Sequence, residues 1–152
     1  MKALSLRQPW AAFVLFHGKR IENRKWSTSF RGEFFIHAAG SMTLEEHADA
    51  MAMLIDVNGP QPEGVCRVED LKFGGIVGVA NLVAVVPPRA GLSLLSVESH
   101  YPPGVNWRWH MPEQKGFVLE NVRPTKFVPM RGMPSFFDVP EDLAREALGL
   151  GK

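Results

Sequence analysis

The feature that most constrains this chain is the run Gly75–Val86, GIVGVANLVAVV, which is β-branched, carries no charge and is bounded by Gly74 and Pro87-Pro88. Such a segment is the strongest strand signal in the sequence. Its Gly78 points to a bend or a close backbone approach, as at a barrel corner. No apolar run approaches the roughly 18 residues needed to span a bilayer, so no membrane partner is expected.

Shorter strands are expected around this one. Ala3–Leu6 reads as a strand, Arg20–Arg24 as a second, Glu33–Ala38 as a buried third, Gly116–Val122 and Thr125–Pro129 as two more, and Phe136–Val139 as the last. Between the first two, Gln8-Pro9 opens a helix, because a proline in the first turn forfeits no needed hydrogen bond. Trp10, Phe13, Val14 and His17 follow at i, i+3, i+4 and i+7 on one face, and Gly18 supplies a left-handed stop.

Thr43-Leu44-Glu45-Glu46 has the capping-box pattern. It opens a helix to about Val57, with Leu44, Ala48, Met51, Leu54 and Ile55 expected inward, closed by Asn58-Gly59-Pro60. Residues 61–73 read as loop with a helical turn, 89–113 as an irregular Pro/Gly-rich stretch, and Glu141–Leu148 as a terminal helix. About six short strands with two or three helices, no repeat and no linker predict one α+β domain over residues 1–152, a small mixed pseudo-barrel and not a parallel sheet.

The net charge of +1 conceals an asymmetry. Residues 1–40 hold seven lysines and arginines against two carboxylates, and residues 41–70 hold seven carboxylates against Arg67. General attraction to polyanions is therefore weak, while a local anion site near the N-terminal segment is favoured. The single cysteine, Cys66, forms no internal disulfide, which fits a reducing, cytoplasmic setting. The opening segment is too short and too soon polar for a signal peptide. No histidines and carboxylates stand at metal-ligand spacing, and no glycine-rich phosphate loop follows a strand in the required pattern. Neither a metal nor a cofactor is expected.

Within the basic segment, Glu22 and Arg24 alternate onto one strand face with Arg20, and Lys19 sits at the helix-to-strand corner. Cations around one carboxylate make a site with net positive charge and directional hydrogen bonds, suited to a phosphate or to a base edge. Arg7, Gln8 and Trp10 lie at a helix start whose free amides attract anions. Trp26, just beyond the trio, and Trp107, within Trp107-Arg108-Trp109-His110, offer faces on which a base can stack. His37 ends a buried strand, where a histidine is more often a hydrogen-bonded packing residue than a base.

Leu4-Ser5-Leu6-Arg7-Gln8-Pro9-Trp10 followed by Gly18-Lys19-Arg20-Ile21-Glu22-Asn23-Arg24 resembles the ASCH family, a branch of the PUA-like fold. The family's Gly-x-Lys-x-x-Glu-x-Arg segment stands here as Lys19, Glu22 and Arg24, with the glycine displaced by one place to Gly18. The resemblance continues through Phe35-Ile36-His37-Ala38, Gly75-Ile76-Val77-Gly78, Gly116-Phe117-Val118-Leu119 and Arg131-Gly132. It implies a PUA-like pseudo-barrel with a cationic cleft that binds RNA or a modified nucleoside, linked to translation or RNA metabolism. In some members it implies catalysis, either as an amidohydrolase on acylated cytidine or as a ribonuclease. In an enzyme of that kind Lys19 would polarise or attack the carbonyl and Glu22 would shuttle the proton. Some members carry a hydroxyl residue at the position of Glu22. With Lys19 and Glu22 expected to pair as ions, the binding reading is the stronger one.

Overall fold

The computed structural model describes residues 1–92 and 94–151. Six strands form one mixed sheet: β1 (Lys2–Leu6), β2 (Ile21–Arg24), β3 (Gly32–Ala38), β4 (Gly75–Val86), β5 (Lys115–Pro129) and β6 (Phe136–Asp138). Among the described residues three α-helices accompany them: α1 (Trp10–Phe16), α2 (Leu44–Asn58) and α3 (Glu141–Ala147). The strand order is β2-β5-β4-β3-β1-β6. All neighbours are antiparallel except β1 and β3, which run parallel. The sheet curls into a half-barrel, the small α+β pseudo-barrel expected from the pattern of elements. Among the described residues no helix is long and apolar enough to cross a membrane.

The uncharged run is β4, flanked by β3 and β5. Pairing on both sides takes up its backbone groups, and its first six residues are buried. Gly78 lies at a register shift between β4 and β5. A Cβ there would strike the Leu15 side chain and sit 2.9 Å from the Arg123 carbonyl oxygen. The close approach predicted at this glycine is therefore real.

Three expectations need correction. Gly116–Val122 and Thr125–Pro129 are not two strands but one 15-residue strand, β5. It bends through register shifts against β4, with Asn121 at φ 50°. The second is the buried face of α2, which carries Ala50 and Leu54, with His47 and Met51 half-buried. Leu44 and Ile55 are 75% and 48% exposed, and Ala48 is exposed too. The helix is rotated because His47 Nε2 donates to the Cys66 carbonyl at 2.7 Å, which turns that row of side chains inward. The predicted capping box on Thr43 and Glu46 is formed. Thirdly, β2 begins at Ile21, and Arg20 turns away to donate to the Val14 carbonyl oxygen at 2.7 Å. That bond holds the C-terminal turn of α1.

Successive side chains of each strand supply different cores. Leu4, Leu6, Phe34, Ile36, Phe117 and Leu119 fill the interior of the curl with α1 residues Ala11 and Val14. Ala3, Phe35, Ile76, Val79 and Val128 face α3. A third cluster joins Phe13 and Ile21 to α2 and to Trp109 of the irregular segment.

Candidate functional site

Lys19 follows Gly18, whose φ of 72° lets the chain reverse out of α1. The reversal drives the lysine side chain inward, where it is 1% exposed. Its Nζ donates to the Ile21 carbonyl oxygen at 2.5 Å and to Glu22 Oε1 at 3.3 Å, and it lies 5.3 Å from the ring centre of Trp10. Glu22 is also buried. Its other oxygen, Oε2, accepts from Arg24 Nε at 3.0 Å, and Arg24 Nη2 donates to the Ser5 carbonyl oxygen at 2.6 Å.

The three charged residues thus meet on one carboxylate, with a cation on each oxygen and a net charge of one positive unit. Burial pushes the Lys19 ammonium below its ordinary value, with Glu22 opposing and Arg24 reinforcing that shift. The pairing expected from sequence exists, but burial outweighs it. Only Arg24, whose side chain is 20% exposed, and the rim of Glu22 reach solvent.

The remaining predicted residues divide. Arg7 is held by both oxygens of Glu46, Nε to Oε2 at 2.8 Å and Nη2 to Oε1, so its charge is matched by the cap of α2. Gln8 is buried and engaged at both ends: Nε2 donates to the Lys72 carbonyl oxygen at 2.9 Å, and Oε1 accepts from the Ala12 amide at 3.1 Å. The Ala11 and Phe13 amides donate to Arg7 and Pro9 carbonyls. The helix start expected to offer open amides is thus internally capped.

Trp10 packs edge-on to Phe13 with ring centres 5.6 Å apart. Trp26 is half-buried, edge-on to Phe117 at 5.2 Å and to Phe136 at 6.0 Å, with the Arg24 guanidinium 6.0 Å from its ring. Trp107 stands elsewhere, under the Arg89 guanidinium at 5.1 Å. It lines a separate hollow of about 700 Å³ with Tyr101, Pro102 and Arg108.

His37 is fully buried and is paired in register with Ser5 of β1. Its Nε2 lies 2.7 Å from the Met130 carbonyl oxygen and its Nδ1 3.0 Å from Ser5 Oγ. Sequence reasoning missed two members of the neighbourhood: Lys25 follows Arg24 on an exposed turn, and Lys115 is opposite Arg24 in the β2–β5 ladder. Arg131 lines a separate cavity with Ser5 and His37. Lys115 sits ahead of the predicted strand, so its register with Arg24 was not visible. Among the described residues no group of three histidines, cysteines or carboxylates is placed to hold a metal.

No protein-family model matches the sequence, and no curated protein is detectably similar to it. Solved structures do match. A crystal structure of the ASCH protein of Zymomonas mobilis superposes with a TM-score of 0.50 at 12% identity, covering 99% of this chain and 95% of that one. A tyrosine-to-phenylalanine variant of it gives 0.51 at 12% identity over 99% and 98%, and a serine-to-alanine variant 0.50 at 12% over 99% and 96%. The chain therefore has the ASCH-type fold along nearly its whole length, and at this identity the likeness is one of fold.

Proposed function

We propose that this ASCH-fold chain binds single-stranded RNA or a modified nucleoside across the C-terminal end of β2, with Arg24 at the centre of the site. The observation that carries this reading is the Glu22 carboxylate held by a cation on each oxygen. Its rim offers an acceptor beside the guanidinium donors of Arg24, a combination that matches a base edge displaying both kinds of group. Lys25 and Lys115 add positive charge on either side of Arg24, suited to flanking phosphates. The half-buried Trp26 supplies an aromatic surface next to them. Lys19 has no path to a phosphate from its buried position, so it acts as a positioning residue that fixes Glu22 from below.

Amide hydrolysis of an acylated cytidine by Lys19 and Glu22 has less support. The Lys19 ammonium is enclosed and already donates to two acceptors. At 1% exposure its Nζ offers a substrate carbonyl no line of approach.

A labelled oligopyrimidine RNA titrated at several salt concentrations tests the reading. With few phosphate contacts, log affinity should fall against log salt with a slope of about −0.7 per contact. Arg24→Ala and Lys115→Ala should each weaken binding and flatten the slope by roughly one contact. Salt-independent binding, or variants that bind like the wild type, would overturn it.

A further inference from the structure

On the face of the sheet that carries α3, β1 and β3 bring a hydroxyl and an imidazole together at the mouth of a cavity. Ser5 and His37 are directly paired residues of the parallel ladder, so their side chains emerge side by side. The Met130 carbonyl can only accept, so His37 Nε2, 2.7 Å away, carries the proton. The other nitrogen, Nδ1, is then the unprotonated one, and the Ser5 hydroxyl donates to it at 3.0 Å. This is the arrangement of a serine activated by a base whose tautomer is fixed by a third group.

The pair lines a cavity of about 400 Å³ that Met130, Met133 and Pro134 wall with apolar surface. Arg131 also lines it and has no hydrogen bond or ion pair among the described residues. Among the described residues no carboxylate lines the cavity. Gly132 roofs the pair, since a Cβ there would stand 2.7 Å from His37 Cε1 and 3.2 Å from Ser5 Oγ.

We propose that Ser5 and His37 form a nucleophilic site, separate from the RNA surface, that hydrolyses small esters of short-chain carboxylic acids. Ser5 Oγ attacks the ester carbonyl while its proton passes to His37 Nδ1. The bond from the carbonyl carbon to the alcohol oxygen breaks, and the departing alkoxide takes that proton. Water then attacks the acyl-serine, gives its proton to Nδ1, and the Ser5 oxygen leaves and is reprotonated from His37. The net reaction is ester and water to acid and alcohol. The short acyl chain lies against the methionine and proline walls, and the Arg131 guanidinium faces the charge that grows on the carbonyl oxygen. Burial pushes the His37 imidazole down, with the Met130 bond opposing, which keeps Nδ1 free to accept at neutral pH.

The test uses the whole chain without RNA, so its outcome does not depend on the nucleic-acid reading. p-Nitrophenyl acetate and butyrate are the substrates, and a fluorophosphonate is the trapping reagent, with the labelled peptide mapped by mass. The wild type should turn over both esters and carry the label on Ser5. Ser5→Ala should fall to the uncatalysed rate, His37→Gln should lose about 10²–10⁴-fold, and Arg131→Ala about 10²–10³-fold in kcat. Labelling of the wild type needs no variant to fold. Failure of the wild type to turn over either ester, turnover that survives Ser5→Ala, or a label on any other residue overturns the proposal.

Discussion

Arg24 donates to the Ser5 carbonyl oxygen at 2.6 Å, joining β2 to β1 although three strands lie between them in the sheet. Trp26, just past β2, meets Phe136 of β6 in the same way, ring to ring. The curl is thus closed along its open edge by side chains and not by a backbone ladder.

Removing that closure has a measurable cost. Arg24→Ala deletes two bonds from one half-buried guanidinium, and hydrogen bonds to charged groups contribute about 1.5–3 kcal/mol each. Arg24→Lys keeps the charge but cannot span both Glu22 and Ser5. Urea midpoints should fall for both variants, with lysine recovering only part of the loss. A lysine variant as stable as the wild type would show that the two-point grip is unimportant.

Glu22→Gln should expose the strain of the buried ammonium. Losing one charge of a buried pair costs about 3–5 kcal/mol, an upper bound here because the amide oxygen still accepts. The Lys19 pKa lies below its ordinary 10.5 in the folded chain, so the unfolded chain binds more protons just below that pH and stability rises with pH there. Without Glu22 the Lys19 pKa falls further. The deficit of the variant should therefore shrink as pH is raised from 7 towards 10, read from thermal midpoints. A deficit that grows with pH contradicts this account.

At acid pH the Arg7–Glu46–Thr43 knot should govern. The hydrogen bond from Arg7, and after it the Thr43 amide, lower the Glu46 carboxyl from 4.5 to about 2. A depressed carboxylate stabilises the fold above its unfolded value, and that contribution is lost as pH falls through the folded one. The stability gap between wild type and Glu46→Gln should be constant above about pH 4.5 and close between there and about pH 2. Because the pair is exposed, 1 M salt should narrow the gap at neutral pH. A gap insensitive to pH would remove the knot from the ledger.

Gly78→Ala is expected to destabilise by about 1–3 kcal/mol, the usual cost of overpacking. One obstacle, Leu15, is a mobile side-chain end, but the Arg123 carbonyl is backbone. The strand must therefore shift, and amide exchange should quicken at the β4–β5 register break first.

Much of this was legible from the chain. The uncharged run, Gly18, Gly78 and the capping box each have one dominant local cause, and each is found where the sequence places it. The failures share another cause. Which row of α2 turns inward depends on a bond from His47 to Cys66, 19 residues away. The unity of β5 depends on its ladder with β4 bridging a bend that reads as a break. At the site, the charge trio followed from strand alternation and corner placement, but Arg20 was lost to the end of α1. The burial of Lys19 and the match of Arg24 with Lys115 are products of tertiary packing, which spacing does not encode.

Among the described residues the sole ladder partner of β2 is β5, where Ile21 pairs with Val118. During synthesis the strand that carries Glu22 and Arg24 therefore leaves the ribosome before β5 and waits unpaired while nearly a hundred further residues are added. Its docking is a high-contact-order event, slow because a long loop must close before any pairing rewards it. Until then its buried-to-be charges remain in water, and the proposed binding surface does not exist in any shorter nascent chain. The site is assembled late, and its completion reports that the sheet has closed.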